Sequence, residues 1–114
     1  MNIENAKSQM RKGMLEYCIL LIVHRAPAYA SDIIRQLEEA ELIVVEGTLY
    51  PLLTRLKNDG LLAYEWQESS YGPPRKYYSL TADGEEFLNA LDDAWTALDK
   101  TVNILRKTNT QNQE

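Results

Sequence analysis

Several residue types are scarce in this 114-residue chain, and each scarcity removes a class of function. Cys18 is the only cysteine, so no internal disulfide can form, and with the single histidine, His24, it makes no ligand cluster of structural-zinc spacing. The five glycines form no phosphate-cradling loop, and no nucleophile stands beside a base in sequence. An enzyme is therefore not expected, and no cofactor is implied. Long apolar runs are also missing. The richest stretch, MLEYCILLIV at residues 14–23, is interrupted by Glu16, whereas a membrane span needs roughly 20 apolar residues. It does not follow a charged leader at the chain start, so it does not read as a secretory signal, and the chain is expected to be cytoplasmic with no membrane partner. Positive charge is in deficit, with 12 Lys and Arg against 17 Asp and Glu, for a net −5. Modest affinity for nucleic acid and little non-specific binding are expected, compared with a strongly basic protein.

What the chain does contain suits one globular domain: 45% of residues are hydrophobic. The acids cluster in residues 26–45 and 81–114, whereas Lys7, Arg11, Lys12, Arg55, Lys57, Arg75 and Lys76 lie elsewhere. Local field governs docking more than the global sum does. A first helix is expected over about 5–25, ending before Pro27. A second, YASDIIRQLEEAEL, would bury Ile33, Ile34, Leu37 and Ala40. The run Leu42 to Val45 is expected to add a small third strand.

The stretch from Gly47 to Gly84 carries the most information. Leu49, Leu52, Leu53 and Leu56 recur at i, i+3, i+4 and i+7, one buried helical stripe, and Gly60 supplies a left-handed stop. Pro51 is tolerable if this helix begins close to Thr48, where first-turn amides lack partners and suit a phosphate. Two alternating runs follow, LLAYEWQES and RKYYSL, around the turn-formers Ser70, Gly72, Pro73 and Pro74. A helix followed by a hairpin rimmed with bases is the layout of a winged helix. The outer face of the helix offers Gly47, Thr48, Tyr50, Thr54 and Lys57, with Arg55 to one side. Hydroxyls, an aromatic ring and bases together suit phosphate and base-edge contacts on double-stranded DNA, and Arg75 and Lys76 on the wing would add phosphate contacts. The plainer reading of this face is a solvated helix surface, and Tyr50 also fits a partly buried position.

The segments GTLYPLLxRLxxDGLL (Gly47 to Leu62) and GPPRKYYSLTxxG (Gly72 to Gly84) resemble the hallmark blocks of PadR-type transcriptional regulators. MRKGMLE (Met10 to Glu16) is similar to that family's opening helix. The resemblance implies a DNA-binding regulator, with Lys7 and the helix and wing residues above at the duplex. Its compact branch includes multidrug-responsive repressors. The wing departs from the family pattern, which often has another base where Pro74 stands and frequently one at Ser79.

A last helix is expected from Thr81, a good N-cap, over 81–108, with a frayed tail at 109–114. Leu88, Leu91, Trp95, Leu98, Val102 and Leu105 are spaced alternately three and four apart, a coiled-coil seam that needs a partner. The first helix and a second copy of the last helix are the candidates, which predicts a homodimer. The expected fold is thus mainly α with a small β-hairpin: a winged helix-turn-helix domain over 1–80 and a long C-terminal dimerisation helix. Trp95 reads first as a packed interface residue. The resemblance implies a second role, in which two such tryptophans sandwich a planar aromatic or cationic small molecule and Asp99 attracts its charge. Asp92 stands where the drug-binding relative has an aromatic residue. The function expected is a homodimeric DNA-binding regulator, a repressor at a near-palindromic operator. A winged protein-interaction module and a small-molecule-binding protein are the alternatives.

Overall fold

The computed structural model describes residues 1–112, with side chains through Lys107. In chain order the elements are α1 (Ile3–Arg25), β1 (Ala28–Tyr29), α2 (Ala30–Glu39), α3 (Glu46–Asn58), β2 (Leu62–Ser69), β3 (Gly72–Leu80) and α4 (Ala82–Asn112). Asn2 caps α1, its side-chain oxygen accepting the Glu4 N–H at 2.7 Å. Only one stripe of this helix is buried, through Ile19, Leu20 and Val23; Leu15, Tyr17, Cys18, Leu21 and Ile22 are half-covered. The core gathers that stripe with Ile33 and Leu37 of α2 and Leu49, Leu53 and Leu56 of α3. Ile34 is half-buried and Ala40 exposed, so the buried stripe of α2 is narrower than its periodicity suggested.

Both short helices end in the same hydrogen-bonded loop. After α3, the N–H of Gly60 bonds the carbonyl of Lys57 and that of Leu61 bonds Leu56, with Gly60 at φ 80°. After α2, Glu41 bonds Glu38 and Leu42 bonds Leu37, but here a glutamate takes the left-handed position at φ 67°. Helix α3 starts at Glu46, earlier than the Thr48 expected from Pro51. Val45 is its N-cap and contributes no side-chain acceptor; its carbonyl instead receives the N–H of Thr48 and of Leu49.

The sheet is antiparallel, in the order β1-β3-β2. Its third strand is Ala28–Tyr29, paired with Tyr78 and Tyr77, and not the expected Leu42 to Val45, which runs as an irregular link. Ala28 is buried beside Tyr78, while Tyr29 lies against Tyr77 with ring centroids 4.8 Å apart. Tyr78 is buried and Tyr77 half-buried, with Tyr29 of β1 against the Tyr77 ring. The β2–β3 register slips near the hairpin tip: Gln67 faces Arg75 but Ser69 faces Gly72. That bulge leaves Pro73 and Pro74, which have no N–H to donate, outside regular pairing.

Thr81 caps α4 as expected, its hydroxyl oxygen accepting the N–H of Gly84 at 2.9 Å. Gly84 is required by proximity: a Cβ there would lie 2.1 Å from the carbonyl oxygen of Leu61. Two polar pairs then fasten α4 antiparallel to α1. Tyr17 donates its hydroxyl to Asp92, and the His24 ring nitrogen Nδ1 lies 2.8 Å from a Glu85 carboxylate oxygen. Leu88 sits between these pairs in sequence and is buried in the core of its own protomer. Its expected place in an intersubunit seam is therefore taken away. Helix α4 runs on to Asn112, so the tail expected to fray at 109–114 is helical over its first four residues. Gln113 and Glu114 lie outside the described residues.

Candidate nucleic-acid interface

The stripe of α3 leucines turns its opposite face to solvent. Gly47, Thr48, Thr54, Arg55 and Lys57 are exposed, and Tyr50 is 49% exposed, which settles it as an outward residue. A groove of about 360 Å³ opens between this face and the hairpin. Tyr50 and Thr54 line it from α3, Arg75 and Lys76 from β3, and Tyr29 and Trp66 from the neighbouring strands. Four sequence-predicted residues are thus brought together across one cleft.

Strand alternation sends the two wing bases to opposite faces of the hairpin. The Lys76 ammonium lies 4.6 Å from the Tyr64 ring centre and 5.4 Å from that of Trp66. The Arg75 guanidinium lies 3.9 Å over the Tyr29 ring, whose hydroxyl donates to Gln67 at 2.5 Å. Aromatic faces hold both cations while leaving their charge available, an arrangement worth about 0.5–1 kcal/mol per contact at an exposed site. Lys57 is more loosely placed, 5.9 Å over Tyr64.

The other predicted residues fall elsewhere. Thr48 lines a separate groove of about 520 Å³, shared with Ser8, Arg11 and Lys12 of α1. Lys7 stands apart from both grooves and pairs with Glu4 at 3.7 Å. Arg55 is joined in an ion pair with Glu16 of α1, so its charge is already partly neutralised. Glu46, in the first turn of α3, places a carboxylate beside the amides that would otherwise welcome a phosphate.

Tyr29 and Trp66 were not legible as site residues. Tyr29 belongs to a two-residue strand with no period to read, and Trp66 follows the alternation of any half-buried strand. Beneath the cleft, burial pushes the Tyr78 phenol above its ordinary pKa, so it stays neutral.

The fold of the described residues is similar to that of known proteins. Residues 19–90 match the family described as Transcriptional regulator PadR-like family. This chain is a PadR-family transcriptional regulator. It is 70% identical to a PadR-like transcription factor from Bacteroides fragilis, covering 89% of this chain and 98% of that one with a TM-score of 0.77. A PadR family transcriptional regulator from Eggerthella lenta is 33% identical, at TM-score 0.83, with 90% of each chain covered. One from Bacillus cereus is 38% identical, at TM-score 0.75, covering 85% of this chain and 95% of that one. The family's members are transcriptional regulators, which are not enzymes. Among the described residues, no helix is long and apolar enough to cross a membrane.

The exposed part of α4 carries the remaining predicted residues. Trp95 is 43% exposed, and Leu98, Val102 and Leu105 are also open to solvent; Leu91 is half-buried. Phe87, beside the buried Leu88, is also exposed. At 100° per residue, Phe87, Leu91, Trp95, Leu98, Val102 and Leu105 fall in one stripe about 80° wide. Asp99 accepts a hydrogen bond from the Asn103 amide at 3.2 Å. Asp92 does not project freely from this helix, because Tyr17 holds it.

Proposed function

We propose that two copies of this regulator associate through the α4 stripe and the half-covered face of α1, and that the dimer represses transcription at a near-palindromic operator. The observation that carries the reading is the apolar stripe of α4, left open in one protomer, on the same chain as the α3–wing cleft. A stripe of that width on a helix is normally covered. Two-fold pairing would set two α3 helices at a fixed separation, suited to half-sites about 34 Å apart or a small multiple of it. Gly47, Thr48, Tyr50, Thr54 and Lys57 would meet the major groove, with Arg75, Lys76 and Lys7 at phosphates. Arg55 would join them on release from Glu16.

Selecting duplexes from random DNA with the full-length protein, then measuring mass by sedimentation, tests this directly. A dimer that enriches sequences with inverted symmetry is expected. Leu98→Asp should yield monomers, because two unpaired carboxylates would be buried at the interface. A folded wild type that enriches nothing would favour a protein-interaction module. A variant that stays dimeric would place the interface elsewhere.

We further infer release by a planar aromatic or cationic ligand at Trp95 and Asp99. The exposed indole on the stripe supports it, because two such rings about one axis would gain stacking and apolar burial around a flat guest. Titration with a planar cationic dye should quench Trp95 emission and lower DNA occupancy. Identical quenching in Trp95→Ala would eliminate the pocket.

A further inference from the structure

The wing bases sit just below the tip of the hairpin, and the tip itself holds none. Beyond the Gln67–Arg75 pair the chain reads Glu68, Ser69, Ser70, Tyr71, Gly72, Pro73 and Pro74, so the end of the wing has one acid and no cation. Its largest side chain, Tyr71, is 99% exposed. The backbone beneath it is defined: the Tyr71 N–H reaches the Ser69 hydroxyl at 3.4 Å, and Ser69 pairs with Gly72 to close the turn. The bulge at Pro73 and Pro74 twists the tip relative to the sheet and carries it about 10 Å past Arg75, at roughly 3.3 Å per residue. An uncharged tip beside an acid gains little from phosphates, which leaves short-range contact with base edges and sugars.

We propose that Tyr71 is a specificity-determining residue that reads the minor groove next to each half-site, its phenolic hydroxyl donating to an adenine N3 or thymine O2. This rests on the DNA-binding reading above, in which α3 occupies the major groove and the wing reaches across the adjoining backbone. The hydroxyl discriminates because A·T pairs present only acceptors in the minor groove, whereas the guanine amino group projects from G·C and blocks the approach. Inosine·C pairs separate the grooves: they keep the principal major-groove hydrogen-bonding groups of G·C but lack the minor-groove amino group.

The test uses full-length protein and a duplex enriched from random DNA, with the step flanking each half-site set to A·T, G·C or inosine·C. Wild type should bind the A·T and inosine·C duplexes alike and the G·C duplex about fivefold more weakly, the worth of one neutral hydrogen bond. Tyr71→Phe keeps the ring but has no donor, and it should bind all three equally; Tyr71→Ala should do the same. Wild type binding all three equally, or Tyr71→Phe retaining the preference, would overturn the assignment while leaving the DNA-binding reading intact. Absence of salt-sensitive binding to any duplex would overturn both. Tight DNA binding in which Tyr71→Ala changes only capture of a protein partner would make the tip a protein contact instead.

Discussion

Thr81 donates its hydroxyl to the carbonyl oxygen of Gly60 at 2.6 Å, so one side chain joins the end of α3 to the root of α4. The Thr81 hydroxyl oxygen in turn accepts the Gly84 N–H, and the Thr81 N–H bonds the Leu61 carbonyl at 3.1 Å. Helix α3 and the long helix α4 therefore meet at a joint made from a left-handed glycine, a cap and a glycine with no room for a methyl group.

Gly84→Ala should be severe. The atom in its way is a backbone carbonyl oxygen, which cannot rotate aside as a side chain can. A loss of about 3 kcal/mol is expected, at the upper end for overpacking. Thr81→Val, which keeps the shape and removes the hydroxyl, should cost about 1–2 kcal/mol. Urea unfolding monitored by circular dichroism reads both, and equal stability in Gly84→Ala would show that the joint gives way cheaply.

Glu41 offers the opposite change. It holds a left-handed conformation that an L side chain adopts at a cost of about 1–2 kcal/mol, in the position glycine fills after α3. Glu41→Gly should raise stability by about 0.5–1 kcal/mol once the greater freedom of glycine in the unfolded chain is set against the gain. A lower melting temperature in this variant would mean that the Glu41 side chain makes a contribution of its own.

Tyr17 predicts an alkaline transition. Its hydrogen bond to Asp92, aided by burial, pushes the phenol from 10.0 up to about 12. The folded state thus keeps a proton that the unfolded chain releases at pH 10. This contribution is fully present below pH 10 and fades as pH rises toward 12. Tyr17→Phe should flatten that part of the stability-versus-pH curve and weaken the hold of α1 on α4. Superimposable curves for the two proteins would deny the bond any role in stability.

Salt dependence should separate the bases. Lys57→Ala and Arg75→Ala are each expected to reduce the slope of log affinity against log salt by about one unit. Arg55→Ala should reduce it less, because Glu16 already offsets that charge. Glu16→Gln should then tighten binding to all sequences. Equal slopes for Arg55→Ala and Lys57→Ala would show that the ion pair opens freely on DNA.

Local chemistry was the legible part. The leucine spacing of α3, the left-handed Gly60 and the Thr81 cap are set by a few adjacent residues, and each stands where the sequence suggested, except that Leu52 is half-buried. The features that escaped depend on distant partners. Ala28 and Tyr29 make a strand only because β3 lies beside them, while Leu42 to Val45, richer in β-formers, finds no neighbour to pair with. Arg55 looks free until α1 brings Glu16 across. A three-and-four spacing rule chose Leu88 for the seam, but adjacent Phe87 lies closer to the line of the exposed stripe. What packs against the first turns of α4 decides between them. The cleft itself was read in part: Tyr50, Thr54, Arg75 and Lys76 meet there, while Thr48 and Lys7 lie outside it.

Helix α4 is 31 residues long and fixed near one end by Tyr17, His24 and Thr81. At 1.5 Å per residue it projects about 46 Å, so a tilt of about 5° at its root sweeps the far end through roughly 4 Å. Displacements too small to disturb the packing around Leu88 are thereby magnified along the rod. Leverage of this kind lets a subtle push at one extremity register as a change of angle at the other.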